Sequence, residues 1–189
     1  MEMISIEIWD GYLKDGSLAN RDIIVALKVH PFLSNLSFSD EKMIPYLNLA
    51  LKYNLPVIVH IASDSMSSPM HVYEMACRYP QLKFIMVHMG VGTDHTLAID
   101  LMDKAENLFA DTTWVPVETT LGVIRRYGSG RVMFGSDNLL DGLDTYACNS
   151  SGEASMYQQY FHDLKRMINK EDYENLMGNT AGKVFDIVC

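Results

Sequence analysis

Two histidines and one aspartate stand at the ends of short apolar runs. His60 closes Val57-Ile58-Val59, His88 closes Phe84-Ile85-Met86-Val87, and Asp137 closes Phe134-Gly135-Ser136. Imidazole and carboxylate are the ligand types that suit zinc, manganese or iron. A lone histidine after an apolar run is more often a satisfied core or rim residue, and Gly-Ser-Asp alone is often only a turn. Two histidines and an aspartate at comparable places are less easily dismissed. Lys28 and His30 lie two apart on another such run, so they share a face and could reach a substrate.

Those residues need elements that bring them together. The runs are 23–29, 57–59, 82–87, 108–110 and 131–134, and each is apolar at nearly every position. Strands buried on both faces read this way. Polar residues end them at His30, His60, His88, Asp111 and Asp137, at spacings of 30, 28, 23 and 26 residues. That is the length of a strand–helix–strand repeat, which demands a parallel sheet with right-handed crossovers. Between the runs lie helical stretches. Ser39 or Asp40 can cap the first, Pro45 fits its first turn, Met43, Leu47 and Leu51 form its stripe, and Asn54 and Pro56 stop it. Thr93 or Asp94 can cap another, with Leu97, Leu101 and Ala105 as its stripe. Gly128 and Gly130 turn the chain into the last strand. The stretch 139–152 reads as a long loop that could cover the site, and 153–189 as closing helices.

The sheet could be part of a barrel or an open doubly wound layer. A nucleotide-binding open sheet usually shows a Gly-rich turn after an early strand; Gly90 and Gly92 follow a strand but lack the rest of that pattern. A complete eight-stranded barrel takes about 250 residues. The 189 residues here hold five units and a helical tail. The expected fold is therefore a partial, five-strand parallel α/β barrel in one domain, 1–189, with the open sheet as alternative.

Composition narrows the function. The net charge is −9, with no basic cluster, which disfavours nucleic acid as a partner. No apolar run reaches the ~20 residues of a membrane helix, and the first ten residues have no basic start, so neither a membrane span nor a signal peptide is expected. Three widely spaced cysteines, Cys77, Cys148 and Cys189, suit free thiols in a reducing, cytoplasmic setting.

Six segments, in order, resemble the amidohydrolase-related family that includes aminocarboxymuconate semialdehyde decarboxylase. Leu27-Lys28-Val29-His30-Pro31 resembles its fourth strand and Leu55 to His60 its fifth. Tyr79-Pro80 with Phe84 to Gly90 resembles its sixth, Asp111-Thr112-Thr113 the end of its seventh, and Arg131 to Asp137 its eighth. Gly178-Asn179-Thr180-Ala181 with Phe185 resembles its closing helix. The resemblance implies a metal-dependent TIM barrel. It gives His60 and Asp137 as ligands of a divalent metal, zinc with manganese or iron as alternatives. His88 would sit beside the metal, as a further ligand or a proton carrier, and Asp137 would double as the base. Lys28 and His30 fall to the substrate, a small carboxylate- or carbonyl-bearing molecule that is hydrolysed through a metal-activated water or decarboxylated without oxidation.

The family's first strand supplies a His-x-His pair, and no His-x-His occurs in these 189 residues. Residues 1–22 read as the tail of a preceding helical layer, and strands one to three have no counterpart. Three expectations follow: the metal is weakly held or absent, the chain self-associates through the open side of the barrel, and a non-catalytic, oligomeric remnant is the rival function. His71, His95 and His162 fall in helical stretches and are expected at the surface.

Overall fold

The computed structural model describes residues 24–137 and 156–187. Five strands form one sheet: β1 (Leu27–Val29), β2 (Val57–Ala62), β3 (Phe84–Val91), β4 (Leu108–Asp111) and β5 (Val132–Met133). All neighbours run parallel, in the order β1-β2-β3-β4-β5. A sequential order has no reversal point, so the sheet is the partial α/β barrel and not the doubly wound alternative. β1 and β5 lie at its two ends.

Helices fill the crossovers: α1 (Pro31–Ser34), α2 (Ile44–Tyr53), α3 (Pro69–Arg78), α4 (Thr96–Leu101) and α5 (Val117–Tyr127). Beyond β5 come α6 (Tyr157–His162), α7 (Leu164–Met167) and α8 (Lys170–Glu174), then a π turn at Asn175–Asn179 that runs into α9 (Thr180–Phe185). The stretch 139–152 lies outside the described residues.

Local chemistry accounts for most boundaries. The Asp40 carboxylate accepts from the Lys42 N–H and opens the turn ahead of α2, where Pro45 sits in the first turn. Asn54 closes α2 in the left-handed region, φ 52°. Met43 and Leu47 are fully buried as the stripe requires, but Leu51 is 41% exposed and Ala50 takes its place. A step of four overshoots the 3.6-residue period, so by the second step the face has rotated toward solvent. In α4 Leu101 is buried as expected, but Leu97 is exposed and Ala98 is buried in its place.

The main core lies between the sheet and the outer helices. Val57, Val59 and Ile61 of β2 are fully buried there, with Leu47, Val72, Met75 and Leu101 from α2, α3 and α4. Phe84 of β3 packs edge-on against Phe38, with ring centroids 6.0 Å apart. The inner face is covered less evenly. α9 plugs its lower end, where Val184 packs on Ile85 and Met133, with Phe185, Ile58 and Phe109 alongside. Above that plug, the inward residues of β2, His60 and Ala62, are only half-buried. The apolar runs thus behave as two-sided strands at β3 and one-sided strands at β2.

β3 does not stop at His88. It continues to Val91, and the register against β2 shifts between His60 and Ala62. The backbone turns left-handed at His88 (φ 71°), Met89 (φ 48°) and Gly90 (φ 93°). Such values at non-glycine residues are unfavourable and persist only where surrounding contacts hold them.

Candidate active site

The C-terminal ends of β1, β2 and β3 bring three imidazoles together. The His30 and His60 rings stack, with centroids 3.8 Å apart and planes 13° from parallel. The His88 ring meets His60 edge-on at 4.8 Å. His30 is there because it caps α1: its Nδ1 accepts from the Leu33 N–H at 3.4 Å. That bond leaves the ring proton of neutral His30 on Nε2, as a donor.

His88 carries the opposite tautomer. Its Nδ1 lies 3.2 Å from the Thr113 carbonyl oxygen, which can only accept, so Nδ1 bears the proton and Nε2 is the free acceptor. A backbone carbonyl on one ring nitrogen is the usual device for orienting a histidine whose other nitrogen does chemistry.

Asp111 holds the ends of β3 and β4 together. Its Oδ1 accepts from the His88 N–H at 2.9 Å and the Thr113 N–H at 3.1 Å, while its Oδ2 accepts from the Thr113 hydroxyl at 2.8 Å. β5 joins through the segment that follows it. Thr112 Oγ1 donates to the Gly135 carbonyl and accepts from the Gly135 N–H, both at 3.1 Å. Gly135 must be glycine, because an added Cβ would lie 2.6 Å from Thr113 Oγ1 and 2.8 Å from Asp111 Oδ2. From the outer layer, the Tyr157 hydroxyl accepts from the Trp114 N–H at 3.0 Å and donates to the Ser136 carbonyl at 2.9 Å. That contact anchors the residue before Asp137, itself exposed and left-handed at φ 52°.

Electrostatics suit neutral imidazoles. Burial, then the neighbouring His30, His88 and Lys28, pull the His60 pKa down to about 4. His30 is lowered by burial and by Lys28. His88 is lowered by burial, against the opposing pull of Asp111, the Thr113 carbonyl and Asp137. Lys28 keeps an exposed surface on the inner face, yet the protein around it lowers its pKa by desolvation, with Asp111 and Asp137 opposing. Burial pushes the Asp111 carboxyl up despite its three donors.

The five sequence candidates are therefore neighbours: Lys28, His30, His60 and His88 at the rim, with Asp137 near enough for its charge to act on Lys28 and His88. The donor types suit a divalent cation, and neutral His88 keeps a lone pair at Nε2. The geometry does not. Among the described residues no three His, Cys, Asp or Glu side chains converge on a point that could hold a metal. The stack explains part of this. An imidazole binds a cation in its ring plane, and an ion in the plane of His60 lies outside the nearly parallel plane of His30. The described residues thus do not form a complete metal centre.

Two histidines differ from expectation. His71 is half-buried, with Nδ1 2.8 Å from the Ser39 hydroxyl and Nε2 3.0 Å from the Ser65 carbonyl. His95 is buried, and its Nδ1 lies 3.2 Å from the Met89 carbonyl, bracing the left-handed segment of β3. A helical stretch in the sequence says nothing about such tertiary acceptors. Asp111, Thr113, Gly135 and Tyr157 acquire these roles largely through residues 21 to 43 positions away. The sequence offered the polar ending of β4 at Asp111 and the family-like segments 111–113 and 131–137, but not these contacts.

A family model described as Amidohydrolase matches residues 21–187. The chain belongs to the amidohydrolase family. No curated protein matches the sequence. Among solved structures, the chain is similar to an uncharacterised TIM-barrel protein from Bordetella bronchiseptica, with TM-score 0.70 and 13% identity over 99% of this chain and 65% of that one. It is also similar to 4-oxalomesaconate hydratase from Rhodopseudomonas palustris, with TM-score 0.66 and 16% identity over 96% and 60%. A third is 5-carboxyvanillate decarboxylase from Novosphingobium aromaticivorans, complexed with manganese and 4-hydroxy-3-methoxy-5-nitrobenzoic acid, with TM-score 0.66 and 11% identity over 98% and 63%. At these identities the likeness is one of fold. This amidohydrolase chain spans 60 to 65% of the length of those three structures. No helix among its described residues is long and apolar enough to cross a membrane.

Proposed function

We propose that the rim cluster is the substrate side and part of the metal side of an amidohydrolase-type site for a small carboxylate- or carbonyl-bearing molecule. The observation that carries this reading is the gathering of Lys28, His30, His60 and His88 at one rim, with three imidazoles in ring contact or one ring away. The Lys28 ammonium and the His30 Nε2–H are the donors for a carboxylate or carbonyl oxygen. His60, His88 and Asp137 are the metal-facing groups, with His88 and Asp137 also placed to carry a proton. Zinc is the first candidate, with manganese or iron as alternatives. The whole chain is taken as one α/β domain equivalent to strands four to eight of such a barrel, in the cytoplasm. Hydrolysis is the leading reaction class. Non-oxidative decarboxylation is the second, since a decarboxylase is among the fold neighbours.

A non-catalytic, oligomeric remnant is the rival, and the want of a three-ligand metal set among the described residues favours it. Binding of a probe acid separates the two. Isothermal titration with 4-hydroxy-3-methoxy-5-nitrobenzoate, in the presence of manganese, should give saturable binding. Lys28→Met should weaken that binding at least tenfold, about 1.4 kcal/mol, while His71→Ala leaves it unchanged. An absence of binding to the wild-type chain, or equal binding to Lys28→Met, would reject the reading.

A further inference from the structure

Asp111 has none of the exposure a substrate-binding or metal-binding carboxylate needs. It is 9% exposed, and its oxygens already receive three donors. Its partners, however, are the backbone of the histidine at the centre of the rim and Thr113, the residue of the following turn that orients that histidine. The His88 amide is fixed by Oδ1. The Thr113 amide and hydroxyl are fixed by Oδ1 and Oδ2. The Thr113 carbonyl, on the turn so held, takes the Nδ1 proton of His88. The segment after β5 packs close to the arrangement, since a Cβ added at Gly135 would lie 2.6 Å from Thr113 Oγ1 and 2.8 Å from Asp111 Oδ2.

We propose that Asp111 is a positioning residue of the site: by clamping the His88 backbone and the Thr113 turn at once, it sets the tautomer of His88, with Nδ1 protonated and Nε2 free. The backbone supports this assignment. His88 and Met89 adopt left-handed φ values that neither residue would choose. A 2.9 Å hydrogen bond from the His88 N–H to a buried carboxyl oxygen is a contact able to hold that conformation. A single buried oxygen, Oδ1, thereby couples the end of β3 to the turn after β4. The proposal rests on His88 being a site residue, but not on turnover, and it can be read in the free protein.

The test is nitrogen-detected NMR of the histidine rings above pH 7, with the His88 signals identified by their loss in His88→Gln. The wild type should show one His88 tautomer, protonated at Nδ1, and a His88 amide strongly protected from hydrogen exchange. Asp111→Ala should give averaged ring nitrogens and lose that protection. Asp111→Asn, which keeps an acceptor at the Oδ1 position, should restore the single tautomer. Folded Asp111→Ala protein with the wild-type His88 signature would overturn the proposal. If Asp111→Ala does not fold, Thr113→Val decides. It removes only the hydroxyl bond to Oδ2 and should shift the His88 ring signals toward averaging, and unchanged signals there would equally overturn the proposal. A wild-type His88 protonated at Nε2 would reject it outright. None of these outcomes depends on whether the probe acid binds.

Discussion

His60 carries a strong electrostatic signature at the rim. Its folded pKa, about 4, lies below the ordinary 6.5 of an unfolded chain. Between these values the unfolded state binds more protons than the native state, so stability rises with pH across that window. Stability should therefore be full above about pH 6.5 and fall as pH drops toward 4. Urea unfolding at a series of pH values measures this, and His60→Gln should flatten the slope in that window. Equal slopes in the two proteins would show that His60 is not held neutral by its neighbours. Tyr157 acts at the same scale by a different means. Its hydroxyl is the only group among the described residues shown to touch both Trp114 and Ser136. Tyr157→Phe leaves the Trp114 N–H and the Ser136 carbonyl without that partner, and should cost about 1–3 kcal/mol in chemical denaturation.

At the scale of elements, the sequence made the strands and their polar ends legible, because parallel strands buried in a sheet must be apolar and the chain must turn at the rim. The same logic placed Lys28 and His30 on one face and found His60 and His88. It could not foresee that β3 continues through His88, since a left-handed kink is held by Asp111 from another strand and by His95 from a helix start. Nor could the pattern show that Gly135 is needed for close approach, because the clash involves side chains 22 and 24 residues earlier. Leu51 was misplaced for a simpler reason: steps of four residues drift off a helix face. Gly135→Ala must displace Thr113 or Asp111, and overpacking of this kind typically costs about 1–3 kcal/mol. A melting temperature equal to wild type would mean that the rim is looser than these distances require.

For the whole molecule, the balance between the two faces of the sheet matters most. The outer face is a closed core, in which Phe84 is fully buried and Phe84→Ala should cost about 3–5 kcal/mol. The inner face is plugged at the bottom by α9 and half-open above, and β1 and β5 end the sheet without a second described strand. Sheet edges left unpaired among the described residues favour association. Light scattering at micromolar concentration should report a dimer or larger species, and a compact monomer would refute self-association through the open side. Metal content tests the reading that the described residues of this amidohydrolase chain offer metal-ligand types at one rim without forming a complete metal set. The purified chain is loaded with zinc or manganese, dialysed, and measured by plasma emission. The account predicts clearly less than one equivalent, falling further in His60→Ala. One full, tightly held equivalent per chain would contradict it.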